Sequence, residues 1–273
     1  MKPTSPISDD DRRRASALGD RHLGALFDCR INAGAFDLDS QLATGRYSPD
    51  IERLKGPLQA LERREGLLIQ EAFACALRAL TAHDVATTDR VVITESDRKW
   101  VAGNRDRGVS DIGAPHAGDE VGRGEIDVWA HDAQARRMWV VDVKRAPRAR
   151  DGDLRALKEA ALALKRRHAR EGRFYETVEI VVLRWFGEPT TIKGARYASS
   201  QSIDALFDVP ISDFVSAALY RFREGLNHRL RTHVADTFGG DAARECETGR
   251  KPTLTLIESA RLATATFLSG RRP

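Results

Sequence analysis

The chain shows five long stretches of helical character and four short ones in which apolar positions alternate or run together. Residues 9–30 carry Leu18, Leu23, Leu26 and Phe27 on one face and predict a helix; the Gly- and Asp-rich stretch 31–56 predicts a connection. In residues 57–82, Leu58, Leu61, Leu68, Ile69, Ala72, Phe73, Ala76, Leu77 and Leu80 keep helical spacing, with Pro57 in the first turn, where its missing N–H is tolerated. The β-branched run at 90–94 predicts a strand. Residues 95–123 show many charges, several glycines and no period, so they read as a long functional loop or as a hidden short element. GEIDVWA at 124–130 and MWVVDVK at 138–144 predict two neighbouring strands joined by a polar, hairpin-sized connection. An Ala-, Leu-, Lys- and Arg-rich helix at 153–170 and a strand at 178–185 follow. The stretch 211–236 predicts a long amphipathic helix lined by Ile211, Phe214, Val215, Ala218, Leu219, Phe222, Leu226 and Leu230, and 253–268 a last helix.

The core order is thus helix, three strands, helix, strand. The last two strands with the helix between them form a crossover unit, which needs a sheet covered by helices. The expected class is α/β with helices added at both ends. The expected division is an N-terminal helical extension at 1–56, a core at 57–186 and a C-terminal helical extension at 187–273 packed on that core. At 273 residues the chain is long enough for one such core.

Charge changes the picture by its location. Residues 144–173 hold 11 Lys/Arg against 4 Asp/Glu, whereas the remainder of the chain is slightly acidic. Such a segment is either a surface for a polyanion such as nucleic acid or a solvated helix face. Cys29, Cys75 and Cys246 form no CxxC pair and read as reduced thiols. No apolar run reaches the roughly 20 residues that span a bilayer, and no apolar stretch follows the charged N-terminus as in a signal peptide. The expected location is therefore cytoplasmic, with no membrane partner.

Chemistry concentrates at the third strand. Asp142 and Lys144 end an otherwise apolar strand and, two apart, share a face. On the preceding strand Glu125 and Asp127 share a face too, and a hairpin brings Asp127 toward Asp142. Two carboxylates side by side repel unless a cation lies between them, and a hard ion such as Mg²⁺ (or Mn²⁺) takes one or two carboxylates plus water and phosphate. Lys144 could then orient a water or stabilise developing negative charge. Glu71 has apolar neighbours at helical spacing, so it looks off its own helix for a partner or simply reaches solvent.

The order of Glu71 on a helix, Asp127 on a strand and Asp142-Val143-Lys144 on the next strand resembles the PD-(D/E)xK nuclease superfamily, also called restriction-endonuclease-like. GEIDVWA and VVDVKRA are most like its Holliday-junction resolvase branch. The resemblance covers about residues 57–186; Ile126 stands in place of the nominal proline, and the 95–123 segment is long. It implies a mixed sheet flanked by helices, with Asp127, Asp142, the Val143 backbone carbonyl and Glu71 as metal ligands and Lys144 as the catalytic lysine. Glu65 and Glu125 are second choices. Arg145, Arg148, Lys158 and Lys165 would contact phosphates of DNA, as would Arg150. The implied activity is a Mg²⁺-dependent endodeoxyribonuclease. The alternative is a nuclease-fold DNA-binding or scaffold subunit of a repair, defence or transposition complex that needs a partner. The long helix at 211–236 packs on its own domain or forms a homodimer surface.

Asp97-Arg98-Lys99 also matches the bare D-x-K spacing, but no carboxylate-bearing strand precedes it. The seven histidines form no metal-spaced cluster. No phosphate-binding glycine loop and no GxSxG string occurs, so nucleotide hydrolysis and a serine hydrolase are not expected.

Overall fold

The structure, a computed structural model, describes residues 6–26, 49–109, 118–144, 151–192 and 194–238. The expected helix at 253–268, and Arg145, Arg148 and Arg150, lie outside the described residues. The elements are α1 (Asp9–Leu26), α2 (Pro49–Leu80), β1 (Asp84–Thr94), α3 (Glu95–Gly103), β2 (Glu120–Asp132), β3 (Arg137–Lys144), α4 (Asp151–Arg170), β4 (Thr177–Arg184), β5 (Thr190–Ile192), β6 (Ala195–Ala198), α5 (Ile203–Phe207) and α6 (Ile211–Phe238). The chain falls into two units, residues 1–12 with 69–216 and residues 13–68 with 217–273.

The first unit is an α/β fold around a six-stranded mixed sheet in the order β1-β2-β3-β4-β6-β5. β1, β2 and β3 pair antiparallel; β4 joins β3 in parallel after the α4 crossover, and β6 joins β4 in parallel. On one face α4 packs Leu154, Leu157, Ala160, Ala161 and Leu164 against Val91, Ile93, Ile126, Met138, Val140, Ile180 and Val182. On the other face the Trp139 ring meets Phe207 of α5 at 5.0 Å, and Phe207 meets Phe73 of α2 at 5.9 Å. Gly124 of the GEID string lets α4 come close: a Cβ there would lie 2.9 Å from the Ala160 Cβ.

Of the two readings of the 95–123 stretch the hidden short element holds: it contains α3, entered through Thr94, whose N–H donates to Asp97 Oδ2 at 2.7 Å. Two expectations change. Residues 187–198, read as part of a helical extension, instead add β5 and β6 to the sheet. Gly194 turns between those two strands at φ +71°, its α-carbon so near Arg107 that a Cβ would lie 2.8 Å from that backbone. α2 begins at Pro49, so residues 49–56 are helix rather than connection and Pro57 is inside it.

In the second unit, α1 and the later part of α6 approach closely at Gly19, where a Cβ would lie 2.5 Å from the Ala218 carbonyl oxygen. Arg221 Nε donates to Asp20 Oδ1 at 2.9 Å, and the buried Glu65 accepts from Arg223 Nε at 2.8 Å. No helix among the described residues is long and apolar enough to cross a membrane.

Candidate active site

The site is built on a fault in strand alternation. Ile126 and Trp129 both belong to the core under α4, although strict alternation would put them on opposite faces. The β1–β2 pairing passes from Thr87–Val128 to Asp89–Ile126, leaving Thr88 and Asp127 unpaired between them. Thr88 sits at φ +52°, a left-handed conformation rare for a β-branched residue. The β2–β3 ladder also stops one rung short of Asp127, at Val128–Val141. Asp127 therefore lies where both ladders break.

Its carboxylate takes over the missing rung: Val143 N–H donates to Asp127 Oδ2 at 2.8 Å. The Asp127 carbonyl accepts from Gln70 Nε2 of α2 at 3.1 Å. Asp142, one residue before Val143, pairs through Oδ1 with Lys144 Nζ at 2.9 Å; its side chain is 15% exposed and that of Lys144 37%. Burial first of all raises the Asp142 pKa to about 6; Lys144 opposes this, and the neighbouring Asp127 carboxylate adds to it. The sequence expectation that Asp127, Asp142 and Lys144 meet is what the structure shows.

The remaining expected residues fall elsewhere. Glu71 follows Gln70 on α2 and is half-buried. Among the described residues no three His, Cys, Asp or Glu side chains gather as a metal-ligating group, so Glu71 does not extend the Asp127–Asp142 pair to three. Glu125 is largely exposed and pairs with Arg90 at 3.8 Å, and Glu65 is engaged by Arg223 in the second unit. Asp97 of the second D-x-K string is fully buried and receives Arg166 Nη1 at 2.6 Å, so it is structural.

The basic segment reads differently once folded. Lys158, expected to reach phosphate, is 1% exposed, and its ammonium donates to the carbonyls of Arg105 at 2.6 Å and Arg107 at 3.0 Å. Lys165, 8% exposed, turns to the Val109 carbonyl at 3.4 Å. Arg155 pairs with Glu159 at 2.9 Å, Arg167 with Asp89 and Arg166 with Asp97. Lys158, Lys165, Arg166 and Arg167 thus meet acids and carbonyls distant in sequence, whereas Arg155 pairs one turn along its own helix. Lys158→Ala is accordingly expected to lower stability by about 2–3 kcal/mol, because two carbonyls lose a charged donor. The salt dependence of any DNA binding should stay unchanged. Thermal melting and binding titrations over a salt series check both; a shallower salt slope would return Lys158 to the phosphate contacts.

His168 is buried, shares a 2.5 Å hydrogen bond with the Tyr175 hydroxyl, and has its pKa lowered to about 4, first by burial. It serves the core. The two carboxylates would suit a small, hard divalent cation, since a positive charge between them would offset the Asp127 repulsion that adds to the effect of burial on Asp142. In comparison with known proteins, no family model, no curated protein and no solved structure matches the chain.

Proposed function

We propose that the chain is a divalent-metal-dependent nuclease that hydrolyses phosphodiester bonds in DNA, on a restriction-endonuclease-like core. The observation that carries this reading is the meeting of Asp127, Asp142 and Lys144 at the point where the central ladders separate. Asp127, Asp142 and the Val143 carbonyl would hold Mg²⁺ or Mn²⁺, with Glu71 on the adjacent helix as an outer acid. When bound, the cation lowers the pKa of a water and screens charge on the phosphate.

The protein's own groups do the rest. Asp127 is fixed by the Val143 N–H, which holds one carboxylate oxygen at the strand end beside Asp142. Lys144 is held beside Asp142 yet partly exposed, so it can turn from the carboxylate to an attacking water or to a phosphoryl oxygen. DNA rather than RNA follows from the family resemblance.

The test is incubation of the full chain with supercoiled plasmid, linear duplex, single strand and four-way junction, with Mg²⁺ or Mn²⁺ and with EDTA. Cutting with metal that stops in EDTA supports the proposal. Binding that persists in EDTA with no cutting under any condition points to the DNA-binding or scaffold subunit instead. Neither binding nor cutting would leave the chain an α/β enzyme of another kind.

A further inference from the structure

Arg184 stands beside the same site and has no assigned task. In the parallel register of β3 and β4, Arg184 is opposite Lys144 and Val182 is opposite Asp142. Val182 and Tyr197 both lie in the core under α4, so Arg184, two residues after Val182, shares their face and that of Lys144. Its guanidinium carbon lies 4.2 Å from the centroid of the Tyr197 ring. Its stem is confined by the turn that follows β4: a Cβ at Gly187 would lie 2.8 Å from the Arg184 Cβ and 3.2 Å from its Cδ. Gly187 N–H also closes that turn on the Arg184 carbonyl at 2.9 Å.

The side chain is thus fixed by stacking and packing. Its buried Nε has no hydrogen-bond partner among the described residues. A buried donor left unsatisfied is costly and calls for an explanation. Arg184 and Lys144 put two cations at facing positions on neighbouring strands, with Lys144 beside the Asp142 carboxylate. A planar guanidinium offers forked donors that match phosphate oxygens, and aromatic stacking sets its plane in advance.

We propose that Arg184 is a substrate-binding residue that clamps a backbone phosphate of the nucleic-acid strand held at Lys144. This rests on the nuclease reading of the site. Fixed on the sheet, Arg184 would set the position of the strand relative to Asp127 and Asp142 without reading bases.

The test is fluorescence anisotropy of the full chain, in EDTA, with a labelled DNA duplex and a labelled four-way junction over a salt series, beside cleavage assays with metal. Arg184→Ala is expected to raise Kd about tenfold and to make the slope of log Kd against log salt shallower by about one phosphate contact. Arg184→Lys should restore most of the slope and less of the affinity. Arg184→Gln, which keeps the stem beneath the turn, takes the place of the alanine variant if that melts early. A merely structural role would lower the melting temperature and leave the salt slope alone. Unchanged Kd and slope in a chain that still binds and cuts would overturn the role of Arg184 while leaving the nuclease reading intact. A wild-type chain that binds neither DNA and cuts none would overturn both.

Discussion

Asp142→Asn is expected to abolish metal-dependent cleavage and, in EDTA, to gain stability relative to the wild type as pH rises from 4 to 8. The folded-state pKa of Asp142 is raised from 3.8 to about 6. A raised carboxyl contributes stability that is fully present below the unfolded value, near 4, and lost as pH climbs through 6. Ionising Asp142 in place therefore costs the metal-free wild type on the order of 2–3 kcal/mol across that window. Asparagine keeps the shape and cannot ionise, so the variant escapes the loss. The advantage should appear as a melting temperature about 5–10 °C higher, relative to wild type, at pH 8 than at pH 4. Thermal melting at both pH values checks it. A variant that tracks the wild type at every pH would mean that Asp142 ionises freely. On the proposed function, cleavage should fail in the same variant because one of the carboxylates proposed to hold the metal is gone.

Arg166→Ala is expected to cost about 3–5 kcal/mol, the largest effect on stability foreseen away from the site. Asp97 is fully buried and accepts from Thr94 N–H, from the Thr94 hydroxyl at 2.8 Å and from Arg166. Arg166 also donates to the Val92 carbonyl at 2.7 Å. Removing the guanidinium strands a carboxylate in the interior, where no water replaces its partner. The melting temperature should drop on the order of 10 °C. The double variant Asp97→Asn, Arg166→Met should recover much of the loss, because neither charge remains. Denaturant titration of the three variants tests this; equal destabilisation in the single and double variants would show that packing, not charge, sets the cost.

The parts of the fold visible in the sequence are those in which side chains repeat with the backbone period. MWVVDVK announces a buried strand because an apolar run ends in two polar residues two apart, and GEID places its acid by the same rule. From those two strings the juxtaposition of Asp127, Asp142 and Lys144 follows. α3 was foreseen only as a short element of unknown kind, because ESDRKWVAG offers few apolar positions; its signal was Thr94 with Asp97 three residues later, a helix-start pattern that the density of charge obscured. β5 and β6 escaped because strands of three and four residues are too short to show a period.

Charge was the least legible property. Counting Lys and Arg along 144–173 says nothing of Asp89 and Asp97, which lie about seventy residues earlier and meet Arg167 and Arg166 in space. Nor could it show that Lys158 and Lys165 fold inward onto the 105–109 segment. The break at Thr88 and Asp127 was also hidden, since neither strand's apolar pattern reveals the positive φ of Thr88 or the skipped pair. Arg184 carried no signal in one dimension; only the register of β3 against β4 sets it opposite Lys144.

The most direct single measurement compares wild type and Lys144→Ala, purified side by side and matched in melting temperature, for cleavage of the best DNA substrate in Mg²⁺ or Mn²⁺. Loss of cutting by about 10²–10³-fold in the variant, with DNA binding retained, is the expected result. Cutting that survives in Lys144→Ala would contradict the assignment of the active site to Asp127, Asp142 and Lys144.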